Sequence, residues 1–198
     1  MFLVIDNYDS FVHNLARYFE LAGVKTRVVR NDEIDIKEIK KLKPEALILS
    51  PGPCTPQDAG ICIKAVKTFG EKLPILGVCL GHQAIGEAYN AATLRADTPI
   101  HGKASTIRHN AQGIFKNLPS PMEVGRYHSL IIKPSKKCPL ITTAETKDGE
   151  IMAIAHPTHP VYGLQFHPES VLTENGQDLV NNFVDIAQSW HKLKEPAA

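Results

Sequence analysis

Short apolar runs alternate with amphipathic stretches through the first ninety residues, and this alternation constrains the fold more than any other feature. The apolar runs predict strands that are covered on both faces, because they show no polar face of their own. Between them, apolar residues recur at helical spacing. Strand and helix in alternation predict a parallel sheet with helices on both faces. The predicted strands are residues 2–5, 26–29, 46–49 and 75–78.

The helices of this half are predicted from spacing and from their end signals. The first runs from Phe11 to Ala22, with Ser10 as its N-cap and Gly23 as its stop. The others are predicted at residues 36–42, 59–69 and 81–90.

From Thr93 the pattern changes to short strand candidates that are separated by Pro, Gly and Asn turns, as antiparallel connections require. A closing helix is predicted at residues 175–194. We therefore expect one α/β domain with a mixed sheet over residues 1–194, followed by a frayed tail at residues 195–198. The strand candidates are residues 106–108, 122–124, 130–132, 141–143, 151–154 and 161–164.

Composition excludes several function classes. The formal net charge of the 198 residues is +1, which gives no electrostatic attraction to nucleic acid or to a membrane surface. No apolar run approaches the roughly 20 residues of a membrane span, and the first residues lack the pattern of a signal peptide. The four cysteines form no CxxC pair, so we expect a reduced, cytoplasmic protein.

Cys79 stands between Gly77 and Gly81, directly after a predicted strand and before a predicted helix. This layout is typical of a nucleophile elbow, in which a tight turn raises the side chain above the sheet edge. The helix N-terminus favours a thiolate there. A buried cysteine in an ordinary strand–turn–helix unit is the alternative. This stretch alone leaves both interpretations open.

Two further loops follow predicted strands and supply complementary chemistry. His167 and Glu169 are two residues apart, so in extended chain they project to the same side, and the carboxylate can hold the imidazole in one tautomer. A zinc site is disfavoured, because the P-C-x-x-C partner motif is missing. The Gly52 amide lies in a loop stiffened by two prolines and can join the Leu80 amide as an oxyanion hole.

These three segments together resemble the class I (triad) glutamine amidotransferases. They are Ser50-Pro51-Gly52-Pro53, Gly77-Val78-Cys79-Leu80-Gly81-His82-Gln83 and Gln165-Phe166-His167-Pro168-Glu169-Ser170. The resemblance covers nearly the whole chain and is closest to component II of anthranilate synthase and aminodeoxychorismate synthase. The segments that resemble this branch are residues 5–11, 101–103, 126–130 and 150–153.

The resemblance implies a three-layer, flavodoxin-like fold with a mixed, largely parallel sheet. It implies Cys79 as nucleophile, His167 as acid and base, and Glu169 as the residue that orients His167. It also implies L-glutamine as substrate and a chorismate-binding component I as partner in a heteromeric complex, with no cofactor in this chain and Mg²⁺ on the partner subunit. The residues implied in glutamine binding are Gly52, Gln83, Ser129 and Leu130.

One position departs from the family pattern. Cys54 stands where many relatives have glycine, which predicts that this residue does not adopt a positive φ. Cysteine there resembles the aminodeoxychorismate and dual-function members.

Alternatives on the same scaffold are a stand-alone γ-glutamyl hydrolase or cysteine peptidase, and a non-catalytic regulatory domain. The regulatory alternative is disfavoured because Cys79, His167 and Glu169 are all present. A nucleotide-binding flavodoxin-like protein is disfavoured because the chain has neither G-x-G-x-x-G nor a P-loop.

Overall fold

The first strand shows why helices cover both faces of the sheet. All five residues of Phe2–Asp6 are buried, and its side chains alternate between two apolar clusters. Phe2 and Val4 belong to one cluster, whereas Leu3 and Ile5 belong to the other. A strand that is apolar on both faces is stable only when both faces are covered. The sheet is therefore the central layer of three.

The computed structural model describes residues 1–194, and within this range the strands form one nine-stranded sheet of order β2-β1-β3-β4-β9-β8-β7-β5-β6. Neighbours from β2 to β9 are parallel, and neighbours from β9 to β6 are antiparallel. The predicted mixed sheet is confirmed. The strands are β1 (Phe2–Asp6), β2 (Thr26–Arg30), β3 (Ala46–Leu49), β4 (Ile75–Val78), β5 (Ala91–His109), β6 (Met122–Pro134), β7 (Ile141–Thr146), β8 (Ile151–Ala155) and β9 (Val161–Leu164).

The helices divide between the two faces according to the apolar cluster that each one joins. The first and last helices pack on the face of Phe2 and Val4, and the three between them pack on the face of Leu3 and Ile5. Within residues 1–194, no helix is long and apolar enough to cross a membrane. The helices are α1 (Val12–Leu21), α2 (Ile36–Leu42), α3 (Cys62–Phe69), α4 (Leu80–Ala88) and α5 (Gly176–Lys194).

The starts of α1 and α3 differ from the prediction, and those of α4 and α5 differ by one residue each. Ser10 is not the N-cap of α1: the helix begins at Val12, and the nearby capping contact is made by Asp9, whose carboxylate accepts a hydrogen bond from the Phe11 amide at 3.0 Å. The helix predicted at residues 59–69 begins only at Cys62, after a 3₁₀ turn at Pro56–Asp58. Gly60 separates the turn from the helix because its φ of 52° interrupts helical geometry.

The antiparallel half contains longer strands than the sequence predicted. The candidates at residues 106–108, 122–124 and 130–132 are parts of only two strands, β5 and β6. Most of β5 is exposed or half-buried, so its sequence lacks the alternation of apolar and polar residues that reveals a half-buried strand. The prediction of a single domain over residues 1–194 stays a prediction, and the tail at residues 195–198 lies outside the described residues.

The turn between β4 and α4 depends on two glycines at which the backbone approaches other backbone closely. A Cβ on Gly81 would lie 2.2 Å from the Leu49 carbonyl oxygen of β3. A Cβ on Gly77 would lie 2.3 Å from the Gly81 carbonyl oxygen. Such contacts are far inside van der Waals distance, so this turn can lie against the sheet only with glycine at both positions.

We expect Gly81→Ala to lower the free energy of unfolding by about 3 kcal/mol, because the new methyl group meets rigid backbone. Gly86→Ala, in the same helix, is the matched control. Its methyl group would meet the Ile132 Cγ2 at 2.8 Å, which belongs to a buried side chain and not to backbone, and alanine gains about 1 kcal/mol of helix propensity, so we expect a smaller loss than in Gly81→Ala. Urea unfolding followed by circular dichroism measures both variants. Equal losses in the two variants would contradict this account of the turn.

Candidate active site

Cys79 lies between β4 and α4 in a strained backbone conformation. Its φ is 52° and its ψ is −101°, which is a rare combination for a residue with a side chain. Hydrogen bonds on both sides maintain it: the Cys79 amide donates to the Leu164 carbonyl at 2.8 Å, and the Gln83 amide donates to the Cys79 carbonyl at 3.1 Å. The junction predicted from the sequence is therefore present.

His167 and Glu169 follow β9 and contact each other directly. The Nδ1 of His167 and the Oε1 of Glu169 are 2.7 Å apart, and both side chains are buried. An ionised carboxylate only accepts, so Nδ1 carries the proton and donates it. Within residues 1–194, Nε2 has no hydrogen-bond partner of good geometry. This leaves Nε2 available to exchange a proton with a group in the cleft.

The charged form of His167 is favoured by its neighbours. Burial alone lowers the pKa of His167, but the adjacent Cys79 sulfur and the Glu169 carboxylate outweigh burial and raise it well above the ordinary value. Neighbours that can carry a negative charge have this effect because each stabilises an imidazolium. The arrangement therefore suits proton transfer from the thiol to His167.

Neighbouring elements hold this pair in place, and the sequence did not predict them. The Asn14 amide of α1 donates to the Glu169 carbonyl at 2.9 Å, and the Thr173 hydroxyl donates to the His167 carbonyl at 2.6 Å. The Tyr127 ring lies edge-on to the His167 ring, with centroids 5.0 Å apart. Asn14 and Tyr127 are far from His167 in the sequence, so no short-range pattern links them to it.

The loop that carries Gly52 is tied to the loop after β1. The Asn7 amide donates to the Ser50 hydroxyl, and the Asn7 side chain donates to the Ser50 carbonyl, both at 2.8 Å. A Cβ on Gly52 would lie 2.4 Å from the Asn7 carbonyl oxygen and 3.0 Å from a methyl group of Leu80. Gly52 is thus held beside the first residue of α4, as an oxyanion hole made by these two residues requires.

The prediction for Cys54 was wrong. Its φ is 67°, so this position does adopt the left-handed conformation that glycine favours. Cys54 lies in the turn between Pro53 and the 3₁₀ turn at Pro56–Asp58. A cysteine adopts this conformation at some cost in strain.

The residues predicted to bind glutamine are brought together in part. The Gln83 Nε2 donates to the Leu130 carbonyl at 3.1 Å and to the Gln165 Oε1 at 3.3 Å. The Ser129 hydroxyl contacts the His101 Nε2 at 3.1 Å instead. No role was predicted for Gln165, which contacts both Gln83 and the Cys79 sulfur. Its signal in the sequence was a polar amide directly after a strand and two residues before His167.

A cleft of about 440 Å³ exposes the reactive groups, and its size lies in the range of small-molecule sites. Of the residues predicted for the site, Gly52, Cys79, His167 and Glu169 line it. Leu80, Gln83, Ser129 and Leu130 lie outside its lining. A thiol, a base, a carboxylate and a backbone amide around one cleft can perform acyl transfer through a covalent thioester. In the part of the chain that the structure describes, no three His, Cys, Asp or Glu side chains are grouped as metal ligands.

Comparisons with known proteins agree with this arrangement. The family description "Glutamine amidotransferase class-I" matches residues 3–187. Aminodeoxychorismate/anthranilate synthase component 2 of Bacillus subtilis is 49% identical over 186 residues, which cover 93% of this chain and 96% of that protein. Aminodeoxychorismate synthase component 2 of Serratia marcescens is 50% identical over 190 residues, covering 93% and 100%. A solved structure from Thermoplasma acidophilum, assigned to a GMP synthase, has a TM-score of 0.87 at 28% identity and covers 98% of this chain and 96% of its own.

Two buried histidines near the site give a testable pH dependence of stability. Burial lowers the pKa of His82 to about 4, and burial together with the Arg126 charge lowers that of His128 to about 3. The unfolded chain binds these protons near pH 6.5, whereas the folded chain stays neutral at both positions until much lower pH. Their stabilising effect is therefore complete above pH 6.5 and is lost as the pH falls.

We expect the free energy of unfolding to fall by about 2 to 3 kcal/mol per pH unit between pH 6 and 5, since each histidine contributes about 1.4. His167 does not add to this slope. Because its pKa is raised, its stabilising contribution is complete below pH 6.5 and is lost only at higher pH. Urea unfolding at several pH values measures the slope. His82→Gln should halve it, while His13→Gln, which removes an exposed histidine of α1, should not. A flat profile would refute the prediction.

Proposed function

The chain belongs to the class-I glutamine amidotransferase family, and we propose that it is the subunit that hydrolyses L-glutamine and delivers ammonia to a chorismate-using partner. The observation that carries the proposal is the contact of His167 with Glu169 at 2.7 Å, in one cleft with Cys79. Nucleophile, base and orienting carboxylate are the three parts that cysteine acyl transfer needs.

In the proposed reaction, the Cys79 thiol gives its proton to the His167 Nε2, and the sulfur attacks the side-chain amide carbon of glutamine. The carbon–nitrogen bond then breaks, and His167 returns the proton to the leaving nitrogen, which departs as ammonia. Water, activated by His167, hydrolyses the γ-glutamyl thioester to glutamate and restores the thiol. Glu169 stays ionised and keeps the imidazole in the reactive tautomer.

The Gly52 and Leu80 amides are proposed to bind the oxyanion of both tetrahedral intermediates. Support comes from the close packing of Gly52 against Leu80 and from the position of Leu80 as the first residue of α4. Each such donor lowers the barrier by about 2.7–4 kcal/mol in comparable sites.

Recognition of the amino-acid end of glutamine is proposed for Gln83 and for the backbone of Ser129 and Leu130. The Gln83 Nε2 is already used by two acceptors, which leaves its Oε1 to accept a hydrogen bond from the α-ammonium group. The strand backbone at Ser129 and Leu130 is proposed to bind the α-carboxylate.

A partner is proposed because the relatives are named as component 2 of synthases and because free hydrolysis would waste the ammonia. The docking face is proposed at the mouth of the cleft. Phe11 and Val171 line the cleft and are 61% and 97% exposed, which is unusual for apolar side chains beside a reactive thiol. A partner that covers them would enclose the path of the ammonia.

The reaction as proposed uses only side chains and backbone amides of this chain, and we assign Mg²⁺ to the partner subunit. We place the reaction in the cytoplasm. The four cysteines, all of them among the described residues, are unpaired, as a reducing compartment maintains them.

Cys79→Ala should reduce glutamate release from glutamine by about 10⁶-fold, and Glu169→Gln by about 10⁴-fold, because the nucleophile is indispensable and its orienting carboxylate is less so. Release is measured on the chain combined with a component I subunit. Product formation from added ammonium should persist in both variants, since the fold and the partner are intact. Cys138→Ala, outside the cleft, should behave as wild type. Glutamate release by Cys79→Ala at the wild-type rate would disprove the assignment.

The pathway is tested by mixing the chain with an anthranilate synthase component I and, separately, with an aminodeoxychorismate synthase component I. Glutamine-dependent product with one partner assigns the chain to tryptophan or to folate synthesis, and product with both assigns it to both. The name of the Bacillus subtilis relative leads us to expect both. Product from ammonium but not from glutamine, with either partner, would refute the proposal.

A further inference from the structure

A continuous series of buried polar contacts leads from the Arg126–Glu150 ion pair to the Cys79 sulfur. Arg126 lies on β6, and Glu150 directly precedes β8; their side chains form a salt bridge. Two of the segments that resemble the component II branch thus meet, although no role in the reaction was assigned to either residue. The contacts continue through His128, Leu130 and two glutamines.

The first links fix the tautomer of His128. The Arg126 Nε donates to the His128 Nε2 at 3.1 Å, and a guanidinium can only donate. The His128 Nε2 must therefore accept, so the ring proton lies on Nδ1 and is donated to the Leu130 carbonyl at 3.0 Å. Burial and the Arg126 charge, which lower the pKa of His128 to about 3, keep the ring neutral.

The next links fix the orientation of both glutamine amides. The Leu130 carbonyl can only accept, so the Gln83 atom 3.1 Å from it is the amide nitrogen. That nitrogen also faces Gln165 at 3.3 Å, so the Gln165 atom there is the oxygen. The opposite end of the Gln165 amide is consequently the NH₂ group, and it points at the Cys79 sulfur at 3.8 Å.

We propose that Gln165 is a positioning residue for Cys79, and that the Leu130 carbonyl, acting through Gln83, dictates which end of the Gln165 amide faces the sulfur. The N–H of Gln165 stabilises the negative charge that remains on sulfur after the proton passes to the His167 Nε2. It also holds the sulfur on the side of its strained backbone that faces the cleft. The expected effect of Gln165 on glutamine hydrolysis rests on the proposed function, whereas its expected effect on the reactivity of the thiol does not.

A purely structural role is the competing explanation, because Gln165 is fully buried and its amide needs partners. The two explanations differ in what they predict for the thiol. A structural amide affects stability alone, whereas a positioning amide sets the reactivity of Cys79 even without glutamine.

The test is Gln165→Met in the full chain, which keeps the length of the side chain and removes the donor. We expect alkylation of Cys79 by iodoacetamide at pH 7 to slow about tenfold, as loss of a hydrogen bond to a charged group predicts. Mass spectrometry of the Cys79 peptide separates this signal from the other cysteines. In the complex with component I, kcat for glutamate release should fall about tenfold, with KM within about threefold of wild type.

Gln165→Glu provides a second variant if the methionine variant folds poorly. It keeps an oxygen for Gln83 and turns an oxygen instead of a donor toward the sulfur, so alkylation should slow at least as much. Gln177→Met is the matched control: its amide donates to the Tyr18 carbonyl at 2.9 Å and to Asn181 at 3.0 Å, between α5 and α1. It should leave the alkylation rate unchanged.

Alkylation within twofold of wild type in both Gln165 variants would overturn the inference, whatever happens to kcat. If the wild-type chain fails to hydrolyse glutamine with either component I, the proposed function fails instead. The alkylation rates still decide whether Gln165 positions the thiol, so the two failures are distinguishable.

Discussion

The close contact of the β4–α4 turn with the sheet is the constraint on which the rest of the site depends. Gly77 and Gly81 let backbone pack on backbone where any side chain would collide. Only then can Cys79 occupy a positive φ at the start of a helix, with its side chain in the cleft. Hydrogen bonds from the Cys79 amide to β9 and from α4 to the Cys79 carbonyl stabilise this strained conformation.

The parallel half of the sheet then determines which groups meet Cys79. β3, β4 and β9 are neighbours, and the segments after their carboxyl ends carry Gly52, Cys79 and His167. Loops that are far apart in the sequence therefore converge at one edge, as parallel sheets generally arrange their binding sites. The shared edge explains why three short motifs, each weak alone, point to one chemistry when they occur together.

The sequence predicted this half well because its signals are local. Continuous apolar runs identified the strands, and Gly77, Cys79 and Gly81 identified the turn. The sequence predicted the antiparallel half less well, since β5 is largely exposed and its apolar pattern is weak. Asn14 and Tyr127 escaped prediction for a different reason. Their contacts with the site exist only after folding, and no spacing along the chain predicts them. Cys54 shows the converse, since a residue type that disfavours positive φ does not prevent it.

The antiparallel half has a physical reason to be joined to the site. A thiol and an imidazole in a buried cleft need neighbours whose hydrogen-bonding direction is certain, and a glutamine amide can turn either way. The Leu130 carbonyl of β6 removes this ambiguity because it can only accept. It fixes the direction of the Gln83 amide, which in turn fixes the direction of the Gln165 amide. By placing this carbonyl beside Gln83 of α4, strand β6 gives the parallel half an orientation that its own residues do not supply.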